Sequence, residues 1–105
     1  MTTEPDQRDA PVTLCVLLWA RPGQETALAA YEDAVLALVP EHRGRLLTRV
    51  RRTGDDPAQA HEIQVLRFED QAALDAYLAD PRRAARTDER DAAIERTELI
   101  PVEVV

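Results

Sequence analysis

Apolar positions fall along this chain in two rhythms, one of short runs and one of three- and four-residue steps. From Val12 to Ala20 the run VTLCVLLWA is almost wholly apolar and rich in β-branched residues. It is too short for most helices and is closed by Arg21-Pro22-Gly23, which predicts a strand buried on both faces. Between Gly23 and His42, Leu28, Tyr31, Val35, Leu38 and Val39 recur at helical spacing, and Pro40 and Gly44 end that helix. Residues 45–53 alternate as a strand, with Leu46, Thr48 and Val50 on one side and Arg45, Arg49 and Arg51 on the other. Gly54-Asp55-Asp56-Pro57 is a turn cluster, and a further strand runs from His61 to Glu69. Placing Arg52 opposite Glu62 and Arg45 opposite Glu69 gives opposite-charge pairs worth a few tenths of a kcal/mol each, enough to favour that register.

Asp70 then caps a helix that starts at Gln71, with Leu74, Tyr77 and Leu78 as its apolar stripe. Pro81 interrupts it, residues 83–96 continue as a charged helical piece, and Glu98 to Val105 reads as a last strand whose Pro101 suits an edge or bulge. Residues 1–11 carry two prolines and no periodicity, so they are read as a flexible tail preceding one domain over residues 12–105. The order β-α-β-β-α-β predicts an α+β, ferredoxin-like fold: a four-stranded antiparallel sheet carrying its helices on one face. The other face would hold Leu47, Ile63, Val65 and one side of the first strand with nothing to cover them. A second copy of the chain is the expected cover, which makes a homodimer.

Charge narrows the partners. Acidic residues outnumber basic ones by 20 to 13, for a net charge of −7, whereas nucleic acid and anionic membrane both demand a basic field. No apolar run approaches the roughly 20 residues that span a bilayer, and the polar N-terminus is unlike a signal peptide, so the expected compartment is the cytoplasm. Cys15 is the single cysteine, which excludes an internal disulfide and a multi-cysteine metal or cluster site; inside a buried strand it behaves as a small hydrophobe. All 13 basic residues are arginine, which removes Schiff-base chemistry.

Three stretches also carry a family likeness: Arg21-Pro22-Gly23 closing the first strand, Glu41-His42-Arg43-Gly44 before the second, and residues 67–78, RFEDQAALDAYL, across the third strand and the helix after it. In these the chain resembles the antibiotic-biosynthesis-monooxygenase-like group of dimeric α+β barrels, over residues 12–105. The resemblance implies two sheets packed face to face and one small cavity per subunit between sheet and helices. Members that oxidise phenolic substrates without metal or flavin carry a tryptophan where this chain has Phe68, an asparagine where it has Gln64 and often a histidine where it has Tyr77. Each exchange keeps part of the chemistry: an aromatic ring, an amide, a ring with a polar tip.

The helix-facing set on the third strand is then Glu62, Gln64, Leu66 and Phe68. Gln64 lies between apolar neighbours and is the candidate for holding a substrate oxyanion. Trp19, Tyr31, Phe68 and Tyr77 are the candidate substrate-binding walls. His61, with His42 behind it, is the candidate for proton transfer near neutral pH, and neither has partners at metal-ligand spacing. The arginines at 43, 45, 49, 51 and 52 form a basic stripe suited to an anionic ligand or to pairing across strands. The function the resemblance implies for these residues is a cofactor-independent monooxygenase acting on an aromatic or polyketide-like small molecule. Two rivals stand beside it: a non-oxidative cyclase or isomerase on the same fold, and a non-catalytic dimeric ligand-binding or stress-related module.

Overall fold

A computed structural model describes residues 10–105, so all but the last two residues of the tail read at 1–11 lie outside the described residues. The apolar run Val12–Ala20 forms β1, in the interior of the sheet. Its neighbours are β3 (Glu62–Phe68) and β4 (Ile94–Pro101), both antiparallel to it, and β2 (Gly44–Arg51) lies outside β3. Strand alternation decides what each residue meets. Leu14, Val16 and Leu18 are buried under the helices, while Cys15 and Leu17 on the opposite side are only half-buried. The expectation of burial on both faces is therefore met on the helix side alone. The far side exposes an apolar stripe made of Cys15, Leu17, Ile63 and Val65, flanked by Val50 and Ile100.

The long helix expected over residues 23–42 is shorter. Helix α1 covers Glu25–Leu36, and a separate 3₁₀ turn covers Val39–His42. Pro40 explains the break, because its ring would meet the carbonyl four residues back, at Leu36. Helices α2 (Gln71–Leu78), α3 (Pro81–Ala84) and α4 (Thr87–Ala93) follow β3. Asp70 caps α2 as read, its carboxylate accepting from the Ala73 N–H at 2.8 Å, and Asp80 caps α3 through the Arg82 N–H at 2.8 Å. The last strand starts at Ile94 rather than Glu98, since buried Ile94 pairs with Ala20 and carries the apolar face four residues earlier.

The register between β2 and β3 also differs. Arg51, not Arg52, lies opposite Glu62, Arg49 lies opposite Gln64, and Arg45 faces Arg67. A bulge between Leu46 and Thr48 breaks the simple alternation, so Arg49 and Arg51 turn to the helix side while Thr48 and Val50 turn away from it. Charge pairing does set this register, through the buried Glu62, which takes both guanidinium groups. Between sheet and helices, Leu28, Tyr31 and Val35 of α1 and Leu74 and Tyr77 of α2 meet the helix-side residues of β1 and β3.

Candidate functional site

A cavity of about 260 Å³ lies under the helices, on the helix side of β1, β3 and β4. Its walls are apolar, from Leu14, Val16 and Leu18 of β1, Leu66 of β3, Leu74 and Leu78 of α2 and Leu99 of β4. Its polar groups are few: Glu32, Gln64, Tyr31 and Tyr77, with Arg83, Arg90 and Thr97. An apolar chamber with a handful of convergent polar groups is the ordinary form of a small-molecule site.

The deepest of these groups form a chain. Gln64 donates from Nε2 to Glu32 Oε1 at 2.7 Å and to Glu62 Oε2 at 2.6 Å. Glu62 in turn accepts from Arg49 Nε at 3.0 Å and Arg51 Nε at 3.1 Å. Both N–H groups of the Gln64 amide are thus engaged with carboxylates, and its carbonyl has no hydrogen bond among the described residues. In this arrangement Gln64 holds Glu32 in place. Glu62, Gln64 and Glu32 are all buried, yet among the described residues only Glu62 forms salt bridges to guanidinium groups. Burial pushes the Glu32 carboxyl above the ordinary range; the Gln64 hydrogen bond opposes that shift and the charge of Glu62 adds to it.

Tyr31 and Tyr77 stand on the same wall. Burial raises both phenols, Tyr77 to about 12, and the Tyr77 hydroxyl donates to the Val35 carbonyl at 3.2 Å. Neither is a ready proton carrier near neutral pH. The Arg83 guanidinium lies over the Tyr77 ring, 4.5 Å from its centroid.

Of the candidate site residues, Gln64, Tyr31 and Tyr77 line this cavity, while Trp19, Phe68, His42 and His61 do not. Phe68 is fully buried behind it, its ring 5.3 Å from that of Tyr77. Trp19 belongs to the far side of the sheet, where Arg96 covers its ring at 4.6 Å and its Nε1 donates to the Ala58 carbonyl at 3.2 Å. His61 sits at the mouth of β3 and is tied to the sheet by its backbone N–H, 2.8 Å from the Leu18 carbonyl. His42 pairs with Asp80 at 2.7 Å, outside the cavity. The basic stripe on β2 divides: Arg49 and Arg51 serve Glu62, Arg43 grips Asp70, and Arg52 holds backbone carbonyls of the following turn. Among the described residues, no group of three His, Cys, Asp or Glu side chains comes together as a metal-binding cluster.

Glu32 is not among the candidates named from the sequence, although the sequence carries its signal. Leu28, Tyr31, Glu32 and Val35 occupy the positions of one helix face, so the apolar stripe of α1 contains a carboxylate where a hydrophobe belongs. Arg83 and Arg90 gave no such sign, because the breaks at Pro81 and Arg86 decide where their helices point.

The fold these elements make is the ferredoxin-like α+β class, and solved structures share it along nearly the whole chain. A protein of unknown function from Rhodopseudomonas palustris matches with a TM-score of 0.75 at 18% identity, covering 93% of this chain and 85% of the other. The structure named "putative antibiotic biosynthesis monooxygenase" from Bacteroides thetaiotaomicron matches at 0.72 and 15% identity, covering 93% and 92%. A dimeric protein of unknown function with a ferredoxin-like fold, from Bacteroides fragilis, matches at 0.69 and 16%, covering 90% and 96%. No protein-family model and no curated protein sequence matches the chain. The likeness is one of fold, which leaves chemistry to be argued from the site.

Proposed function

We propose that this protein is a homodimeric, cofactor-independent enzyme that deprotonates a small hydroxylated aromatic or polyketide-like molecule in the cavity, with dioxygen as the electron acceptor. One observation carries the reading: a buried carboxyl, Glu32, borders an apolar chamber with its proton affinity raised by desolvation and no salt bridge among the described residues. A base with affinity closer to that of a phenol or enol accepts its proton more readily than an ordinary carboxylate does. Glu32 takes the proton, Gln64 holds its carboxyl towards the ligand and accepts at its carbonyl, and the leucine walls exclude water. The ligand anion then gives two electrons to dioxygen, and protonation leaves a hydroperoxide on the activated carbon. Loss of that carbon's second hydrogen as a proton sends its C–H electron pair into the new C=O bond while the O–O bond breaks, so one oxygen atom stays as the carbonyl and the other leaves as water.

The second copy of the chain would cover the apolar stripe on the far side of the sheet, as the dimeric state of the Bacteroides fragilis neighbour also supports. The same base without oxygen would drive an isomerisation or cyclisation, and Glu32 supports that chemistry equally. Incubation with a panel of phenols and anthrones, in air and under argon, separates the two. The oxygenase reading expects turnover in air only, reduced at least about a hundredfold in Glu32→Gln. Equal turnover under argon favours the cyclase or isomerase. Binding without turnover leaves a ligand-binding module.

A further inference from the structure

Most of the described arginines are engaged, Arg45 and Arg67 on the open side of the sheet excepted. Arg43, Arg49, Arg51, Arg82, Arg86 and Arg96 each form a salt bridge with a carboxylate. Arg83 makes none among the described residues; its guanidinium rests on the Tyr77 ring at the cavity wall. Arg90 reaches Thr97 Oγ1 at 3.3 Å, and its one carboxylate contact, to the neighbouring Asp91, is loose at 3.6 Å on an exposed side chain. Both arginines line the cavity and both are half-buried, whereas Glu32 and Gln64 are buried. The chamber therefore combines a buried acid with two half-buried cations from different helices, and the charge of Arg83 is felt at Glu32. In a chain of net charge −7, that placement is a local reversal of sign.

We propose that the ligand of this cavity is an amphiphilic acid, an aromatic or polyketide-type carboxylate whose anionic end is held by Arg83 and Arg90 while its hydroxyl or enol end reaches Glu32. This rests on the reading of the cavity as a ligand site and names the chemical class it takes. Guanidinium groups bind carboxylates through paired, charge-assisted hydrogen bonds, and a half-buried position screens them less than open solvent would. Glu32 disfavours a carboxylate beside it, so attraction at one end and desolvation at the other orient the molecule in a single sense.

The test compares two probes that differ only in the acid: 6-hydroxy-2-naphthoate and 2-naphthol, titrated calorimetrically into the full-length protein. The expected result is that the naphthoate binds about tenfold tighter or more, with the advantage shrinking as salt is added. In Arg83→Gln/Arg90→Gln the ratio of the two affinities falls to within about twofold, while Arg83→Lys retains part of it. The ratio is the readout because loss of Arg83 also removes its contact with Tyr77 and shifts both affinities together. Circular dichroism confirms that each variant is folded; should the double variant not fold, the Arg83→Gln single variant is expected to lose at least half of the logarithmic preference. Naphthol bound as tightly as naphthoate by the unaltered protein would overturn the anionic class and leave the cavity reading standing. A preference that survives both arginine substitutions would overturn the assignment of the two arginines. Failure of both probes to bind would overturn the cavity reading itself, and this inference with it.

Discussion

Glu32 is a buried acid whose hydrogen-bond partner among the described residues is an amide. A carboxyl whose proton affinity is higher in the folded chain than in the unfolded one weakens the fold as pH rises. Below the unfolded value of 4.5 both states keep the proton; above it the unfolded chain releases its proton first, and stability falls until the folded carboxyl also ionises. Glu32→Gln cannot ionise and can still accept from Gln64. Its melting temperature is therefore expected to match that of the unaltered protein near pH 4 and to exceed it near pH 8, as read by calorimetry. A variant less stable at both pH values would show that Glu32 is held by contacts other than those described. On the proposed function, the site would trade stability for a reactive group.

At Gly44 the constraint is space. A Cβ there would stand 2.6 Å from Phe68 Cε1 and 2.7 Å from Val39 Cγ1, inside the packed core. Gly44→Ala is expected to cost about 1–3 kcal/mol, seen as a melting temperature lower by several degrees. Such a contact was not legible in the sequence, because it depends on the left-handed Arg43 (φ 58°) that swings the chain from the 3₁₀ turn into β2. Gln64 was legible, being an amide in a strand of apolar neighbours. What it holds was not, since its partner Glu32 lies on another element, 32 positions away.

At the scale of elements, the four strands, the two main helices and their order were written in the apolar spacing. The boundaries moved where one residue overrode the pattern. Pro40 cut α1 short, Ile94 recruited a polar stretch into β4, and the bulge after Leu46 turned Arg49 and Arg51 under the sheet. The bulge matters to the site, because it delivers the two guanidinium groups that Glu62 needs. Arg49→Met leaves Glu62 with one guanidinium partner in a buried setting, and a loss of about 3 kcal/mol or more is expected in chemical denaturation. No measurable loss would mean that Arg51 alone suffices.

For the whole molecule, the sheet has two apolar faces and helices for one. Cys15, Leu17, Ile63 and Val65 make a stripe on the open side, a shape that suits a second copy and not open water. Val65→Arg would place a charge at its centre. Light scattering is expected to report a dimer for the unaltered chain and particles near 11.8 kDa for the variant. A monomeric unaltered chain would remove the dimer from the proposal while leaving the chamber under the helices, which is built within one chain.

The proton affinity of Glu32 decides whether that chamber can do chemistry. Following the side-chain carboxyl carbon of Glu32 by ¹³C nuclear magnetic resonance across a pH titration, with the resonance assigned by its loss in Glu32→Gln, measures it directly. An inflection clearly above 4.5 is expected, moving further when a neutral phenol fills the cavity. An inflection at or below 4.5 would mean an ordinary solvated carboxylate, and the proposed proton transfer would have no base.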